Sequence, residues 1–250
     1  MDVNQHNIEI HKNIESWNNK PILRYIYKLF YNEIINQINH NIDKPIVELG
    51  SGIGNLKNYL EGCIATDIFE NPWIDQVENA YYLTFPDHSI SNLILFDVFH
   101  HLEYPGVALD KFYNVLEDGG RVIIFEPCVS LLGLIVYGIF QHEPLGIFKN
   151  IALYPEDNSD IDNNKYYAAQ GNAFRLFMKF DKINSMNSKW TLKLFKKHSS
   201  LAYIATGGYS KPQLLPDYLI KLLKKTEVIF DLFPLLFATR LMIVLEKRKG

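Results

Sequence analysis

The run Glu48-Leu49-Gly50-Ser51-Gly52-Ile53-Gly54 places three glycines directly after a short β-rich segment, Pro45 to Leu49, and before Asn55 to Leu60, which reads as the start of a helix. Glycines between a strand and a helix let the backbone approach a ligand closely and aim free N–H groups at it. Farther along stand two adjacent imidazoles, His100 and His101, and a third, His142, beside Glu143. An imidazole titrates near neutral pH and can take a proton from a hydroxyl or an ammonium group. Each histidine also has a plainer reading, capping a loop through the backbone or ending a helix with a polar group.

The elements that must position these residues follow from periodicity. Pro21 to Ile38 carries apolar residues at helical spacing, with Pro21 suited to a first turn, and forms a leading helix. Cys63 to Asp67 and Ser91 to Phe96 read as buried strands, since continuous apolar runs mark strands covered on both faces. Tyr104 to Leu116 is helical. Glu117-Asp118-Gly119-Gly120 supplies its stop and the turn into a strand from Arg121 to Phe125. Alternating strands and helices imply right-handed crossovers and an α/β, doubly wound, mostly parallel sheet with its ligand at the carboxyl ends of the strands. After Pro127 the rhythm changes. An apolar stretch from Val129 to Phe140, a polar segment from Tyr154 to Lys165 and a helical pattern from Ala173 to Phe180 read as an insertion that covers the site. Trp190 to Phe195 and Ser200 to Thr206 resume β character, Leu214 to Phe230 reads as a helix, and Arg240 to Glu246 as a final strand.

At 250 residues with 48% hydrophobic content, the chain can bury one full core, so a single domain is expected. It divides into a helical cap (1–44), a ligand-binding core (45–127), an inserted cover (128–190) and C-terminal strands and helix (191–250). A net charge of -3 gives no overall attraction to phosphate backbones, and no nucleic-acid partner is expected. Cys63 and Cys128 fit neither a zinc site nor a disulfide framework and read as buried, reduced thiols. The N-terminus lacks a basic stretch followed by an apolar core, so a cytoplasmic protein is expected. Asp97 and Glu126 end neighbouring strands without a tight acidic cluster, and no metal is expected.

Glu48 to Gly54 resembles motif I of class I S-adenosylmethionine-dependent methyltransferases, in which an acidic residue stands two positions before the first glycine. The competing dinucleotide pattern wants Gly-x-Gly-x-x-Gly, and Asn55 occupies the place of its third glycine. Further blocks are similar to the same family in order. Asp67 closes the second strand, where the resemblance implies a carboxylate accepting both ribose hydroxyls, with Ile68 beside it. Glu78 to Asp87 is similar to the block after the third strand, with Asn79 where an aspartate usually meets the adenine amino group and Ala80 next to it. Asp97 to Leu102 resembles the motif IV region, and Leu116 to Val122 the turn usually written Leu-Lys-Pro-Gly-Gly. The resemblance covers residues 45 to 127. It implies a Rossmann-like sheet of seven strands with the insertion after the fifth covering the active site. It also implies S-adenosylmethionine as cofactor and S-adenosylhomocysteine as product. Glu48, Gly50, Ser51, Gly52, Asp67, Ile68, Asn79, Ala80 and Asp97 would form the cofactor site.

Methyl transfer from a sulfonium is an in-line displacement in which positive charge disappears, so alignment and desolvation come first and a base is optional. His101, beside the expected methyl position, is the preferred base, followed by His100 and His142. Asp97-Val98-Phe99-His100 lacks the Asn/Asp-Pro-Pro-Tyr/Phe run that grips a flipped-out base, so a small or amphipathic acceptor is expected, lipid-linked species and glycans included. Val129 to Phe140 and the segment Leu214 to Phe237, with Lys221, Lys224 and Lys225 among apolar residues, raise peripheral contact with a membrane. Buried core helices would explain the same residues. Two rivals stand beside this reading: a nicotinamide oxidoreductase, and a non-catalytic partner that keeps the fold. Nothing in the sequence fixes the oligomeric state.

Overall fold

The computed structural model describes residues 3–139, 144–147, 149–156 and 166–249. Two helices open the chain, α1 (Val3–Asn19) and α2 (Pro21–Ile35). In α2 the apolar residues Ile22, Leu23, Ile26, Tyr27, Phe30, Tyr31 and Ile34 fall on one face and are all buried. The parallel strands β1 (Ile46–Leu49), β2 (Cys63–Asp67), β3 (Gln76–Val77) and β4 (Ile90–Phe96) follow. Helix α3 (Pro105–Val115) crosses to β5 (Leu116–Pro127). After β5 come α4 (Leu131–Ile139), α5 (Asn172–Phe177) and α6 (Asn184–Asn187), then β6 (Trp190–His198), α7 (Leu201–Ala205), α8 (Asp217–Phe230), α9 (Pro234–Phe237) and β7 (Arg240–Lys247).

The strands form one seven-stranded sheet in the order β3-β2-β1-β4-β5-β7-β6. β7 alone runs antiparallel, to β5 on one side and β6 on the other. The order reverses between β1 and β4, so the crevice for a ligand opens beyond the carboxyl ends of those two strands. This is the doubly wound, mostly parallel α/β sheet expected. One apolar cluster packs α3, α5 and the inserted segment on one face, and the other packs α2, α7 and α8 on the opposite face.

Three local expectations are corrected. Asn55 to Asn58 forms only a 3-10 turn, because Gly62, at φ +76°, swings the chain into β2 before a helix can extend. Ser200 to Thr206 is helical around α7. Ser200, at φ +46°, breaks the strand after His198, and the Ala202 N–H donates to buried Glu227, so the segment packs on α8. Glu117 to Gly120 lies within β5, where the register jumps from Leu116 opposite Ile90 to Arg121 opposite Asn92 and the turn residues bulge outward. Helix α1 falls within residues 1–44, where the sequence suggests a helical cap, ahead of the one helix read there from Pro21 to Ile38. Cys63 and Cys128 are both buried and free, and burial pushes each thiol up to about 12.

Candidate active site

The ends of β1 and β2 are stitched together by side chains of the glycine turn. The Ser51 N–H donates to the Thr66 carbonyl at 2.8 Å, the Thr66 N–H donates to Ser51 Oγ at 3.1 Å, and Thr66 Oγ1 donates to the Glu48 carbonyl at 2.8 Å. Gly50, Gly52 and Gly54 all take positive φ, at +69°, +54° and +64°. At Gly50 the requirement is also spatial, since a Cβ would stand 2.4 Å from Val98 Cγ2 where the turn after β1 meets the turn after β4. Asp67 accepts from the Gly52 N–H at 2.9 Å and from its neighbour, the Ile68 N–H, at 2.7 Å, so its carboxylate is fixed at the rim of the turn. Over this rim lies α1: His6 Nε2 is 3.4 Å from Asp67 Oδ1, and Ile10 faces Gly52.

Glu48 stands beneath, 4% exposed. Its Oε2 has no hydrogen-bond partner among the described residues. Burial raises its carboxyl to about 8, against a lowering hydrogen bond from Ser51, and the charge of Asp67 raises it further. A buried carboxylate oxygen without a donor is expensive to keep and is explained most simply by a ligand that supplies one.

The turn after β4 carries the imidazoles. Asp97 begins it at φ +57°, and its carboxylate pairs with Arg240 at the start of β7. The Arg240 guanidinium is itself buried among Tyr203, Phe125, Phe96 and Phe30, at 4.5 to 5.9 Å from their ring centres. Glu126, 1% exposed, reaches the same turn from the end of β5. It accepts from the Phe99 N–H at 2.6 Å and from His100 Nδ1 at 2.6 Å. His100 is only 2% exposed, and its ring lies 4.1 Å from that of the half-buried His101. His101 Nδ1 lies 2.9 Å from the Tyr167 carbonyl. A carbonyl only accepts, so Nδ1 carries the hydrogen and Nε2 the lone pair that a base requires. Tyr166 and Tyr167, both against His101, also line a cavity of about 530 Å³ whose other walls include Glu103 and Lys149.

Residues 47–124 match the family of methyltransferase domains. That decides the reading of the glycine turn and of the strand ends around it. Over that segment the chain carries a methyltransferase domain. No curated protein matches the sequence. Among solved structures, a chain of the complex between the Haloferax volcanii Trm112 methyltransferase activator and a methyltransferase superposes with a TM-score of 0.54 at 10% identity, covering 98% of this chain and 96% of that one. A methyltransferase of Bacillus halodurans gives 0.50 at 11% identity over 88% and 99%. An S-adenosylmethionine-dependent methyltransferase of Archaeoglobus fulgidus gives 0.50 at 14% identity over 90% and 94%. These likenesses show the fold alone, a doubly wound sheet shared with those proteins.

S-adenosylmethionine is the cofactor of this methyltransferase domain, and the residues present fit it. The partnerless oxygen of Glu48 suits the ammonium of the methionine part, the left-handed turn at Gly50 and Gly52 suits close backbone approach, and Asp67 suits the ribose. Ser51 and Ile68 meet the turn through their backbones, the Ser51 N–H donating to the Thr66 carbonyl and the Ile68 N–H to Asp67. Asn79 is half-buried, and its amide oxygen accepts the Tyr81 N–H at 2.9 Å, which shapes the loop that also holds Ala80. Asp97 turns its carboxylate to Arg240. His142 lies outside the described residues. The metal-type cluster found among the described residues, His88 with Glu117 and Asp118, is at the opposite edge of the sheet, and its carboxylates are paired with Lys44 and Lys247.

Two partners escaped sequence reading. Glu126 appears there only as a strand end, although it organises the histidine turn. Replacing it by Gln keeps the shape but removes the charge facing His100, and a loss of about 1–3 kcal/mol is expected, measurable by urea unfolding. His6 was hidden in an N-terminus that showed no strong apolar periodicity.

Proposed function

We propose that this methyltransferase moves a methyl group to an oxygen or nitrogen of a small or amphipathic acceptor held under the segment inserted after β5. The observation that carries this reading is His101, whose Nε2 lone pair is set by the hydrogen bond at Nδ1 and whose neighbours Tyr166 and Tyr167 wall the cavity beside it. S-adenosylmethionine, when bound, supplies an electrophilic methyl group. His101 Nε2 takes the proton from the acceptor's hydroxyl or ammonium. His100 and Glu126 hold the turn in place, and the cover formed by 144–147 and 166–177 reduces the access of water. Glu103 and Lys149 on the cavity wall favour an acceptor with polar groups at one end.

The test is to incubate the protein with S-adenosylmethionine and panels of hydroxyl- and amine-bearing small molecules, glycans and lipids, following S-adenosylhomocysteine release and the methylated atom by mass spectrometry. Methylation at oxygen or nitrogen is expected. A methyl group found on carbon or sulfur would contradict the assigned use of His101.

A further inference from the structure

Exposed apolar side chains scattered singly over a surface need no explanation, but here they gather. Helix α8 turns Tyr218, Leu222 and Ile229 outward at helical spacing, and each is more than half exposed. Lys221 and Lys225 are exposed on the same helix. Its acidic groups are engaged elsewhere: Glu227 is buried against Lys224 and the Ala202 N–H, Asp231 accepts from the Ser199 N–H, and Asp217 accepts from Gln213.

The surface continues past α8. Leu232 and Phe233 are 73% and 54% exposed, and Leu235 of α9 is 73% exposed. Phe230 and Phe237 pack edge to face and join α8 to α9. Helix α9 in turn lies against α4, which points Leu131 and Ile135 outward one turn apart. Because Pro127 pairs with Arg240, α4 and α9 flank the carboxyl edge of the sheet, the edge that holds Glu48, Asp67 and His101.

We infer that α8, α9 and the outer side of α4 form a docking surface for an anionic lipid bilayer, beside the mouth of the active site. Its purpose, meeting an amphipathic acceptor where that acceptor resides, rests on the function proposed above. The charge pattern selects this occupant. The chain has a net charge of -3, yet between residues 211 and 237 four lysines (Lys211, Lys221, Lys224, Lys225) face three acids (Asp217, Glu227, Asp231), leaving an excess of one positive charge on an acidic protein. A two-fold contact with a second copy would set the same lysine-bearing patch against itself, whereas an anionic leaflet pairs with Lys221 and Lys225 while the apolar side chains enter the acyl boundary. No helix among the described residues is long and apolar enough to cross a membrane, so the contact is peripheral.

Co-sedimentation of the full chain with phosphatidylcholine vesicles, and with vesicles in which part of that lipid is replaced by phosphatidylglycerol, tests the inference. Binding to the phosphatidylglycerol vesicles is expected, and it should weaken as salt rises. The pair Lys221→Glu with Lys225→Glu should weaken it by roughly tenfold or more, and the pair Leu232→Ser with Phe233→Ser by on the order of tenfold. All four positions are exposed, so S-adenosylhomocysteine binding should be unchanged in both variants and reports that they are folded. Failure to sediment with either vesicle would overturn the docking surface, as would binding that neither pair alters. A dimer in sedimentation velocity that the Leu232/Phe233 pair dissolves would assign the surface to a second copy instead. Vesicle binding without cofactor binding would refute the proposed function and leave the docking surface standing. Methylation of a soluble acceptor without vesicle binding would do the reverse.

Discussion

Replacing Glu48 by Gln is expected to stabilise the free protein while weakening S-adenosylmethionine binding. The carboxyl of Glu48 is raised to about 8 chiefly by burial, and its Oε2 has no partner among the described residues. In the unfolded chain an ordinary glutamate loses its proton near pH 4.3, roughly. Between that value and about 8 the folded state binds more protons than the unfolded state, so stability falls as pH rises, by about 1.4 kcal/mol per unit for this group. Below that window the penalty vanishes, and Gln removes it throughout. Thermal melts at pH 5 and pH 8 should therefore diverge less for Glu48→Gln than for the wild type. Cofactor binding runs the other way. A cationic ligand favours the ionised carboxylate, so affinity should rise with pH up to about 8 and binding should release a proton. Loss of a hydrogen bond between charged groups in Glu48→Gln should cost about 1.5–3 kcal/mol of affinity, roughly ten- to a hundredfold. Calorimetry in buffers of different ionisation enthalpy measures both the affinity and the proton. A variant that binds as tightly as the wild type, with no proton released by either, would exclude Glu48 from the cofactor site.

Replacing His101 by Ala is expected to lower turnover by about 10²–10⁴-fold, the range for loss of a positioned general base, with cofactor affinity nearly unchanged. The imidazole is half-buried, and Nδ1 is committed to the Tyr167 carbonyl. Unchanged turnover would reduce His101 to a group that packs against His100 and Tyr166.

The parallel core was legible because its signals are local. Uninterrupted apolar runs in β2 and β4, the helical spacing in α2 and the glycines between β1 and β2 each depend on neighbours in sequence. The glycine turn proposed to hold the cofactor was legible for the same reason, since Glu48, Gly50, Ser51 and Gly52 are contiguous and Asp67 ends the next strand. What escaped depends on distant partners. Ser200 to Thr206 looks like a strand until α2 and α8 supply a surface for Ala202 and Ala205. Arg240 opens a strand that is apolar from Leu241 to Leu245, and only the fold brings Asp97 and four aromatic rings to it. His6 reaches Asp67 only because α1 folds back over the glycine turn. The acceptor was least legible of all, because its walls come from an insertion whose residues meet only through the third dimension.

The most direct measurement is calorimetric titration of the wild type and of Asp67→Ala with S-adenosylhomocysteine and, separately, with NADH. Asp67 holds the Gly52 N–H and stands where the ribose hydroxyls are expected, so its loss should weaken S-adenosylhomocysteine by roughly tenfold or more, the size of a hydrogen bond to a charged acceptor. The wild type should bind S-adenosylhomocysteine at one site and leave NADH unbound. NADH binding in place of S-adenosylhomocysteine, or equal affinity in the wild type and Asp67→Ala, would contradict a methyl-donor site built on Glu48 and Asp67.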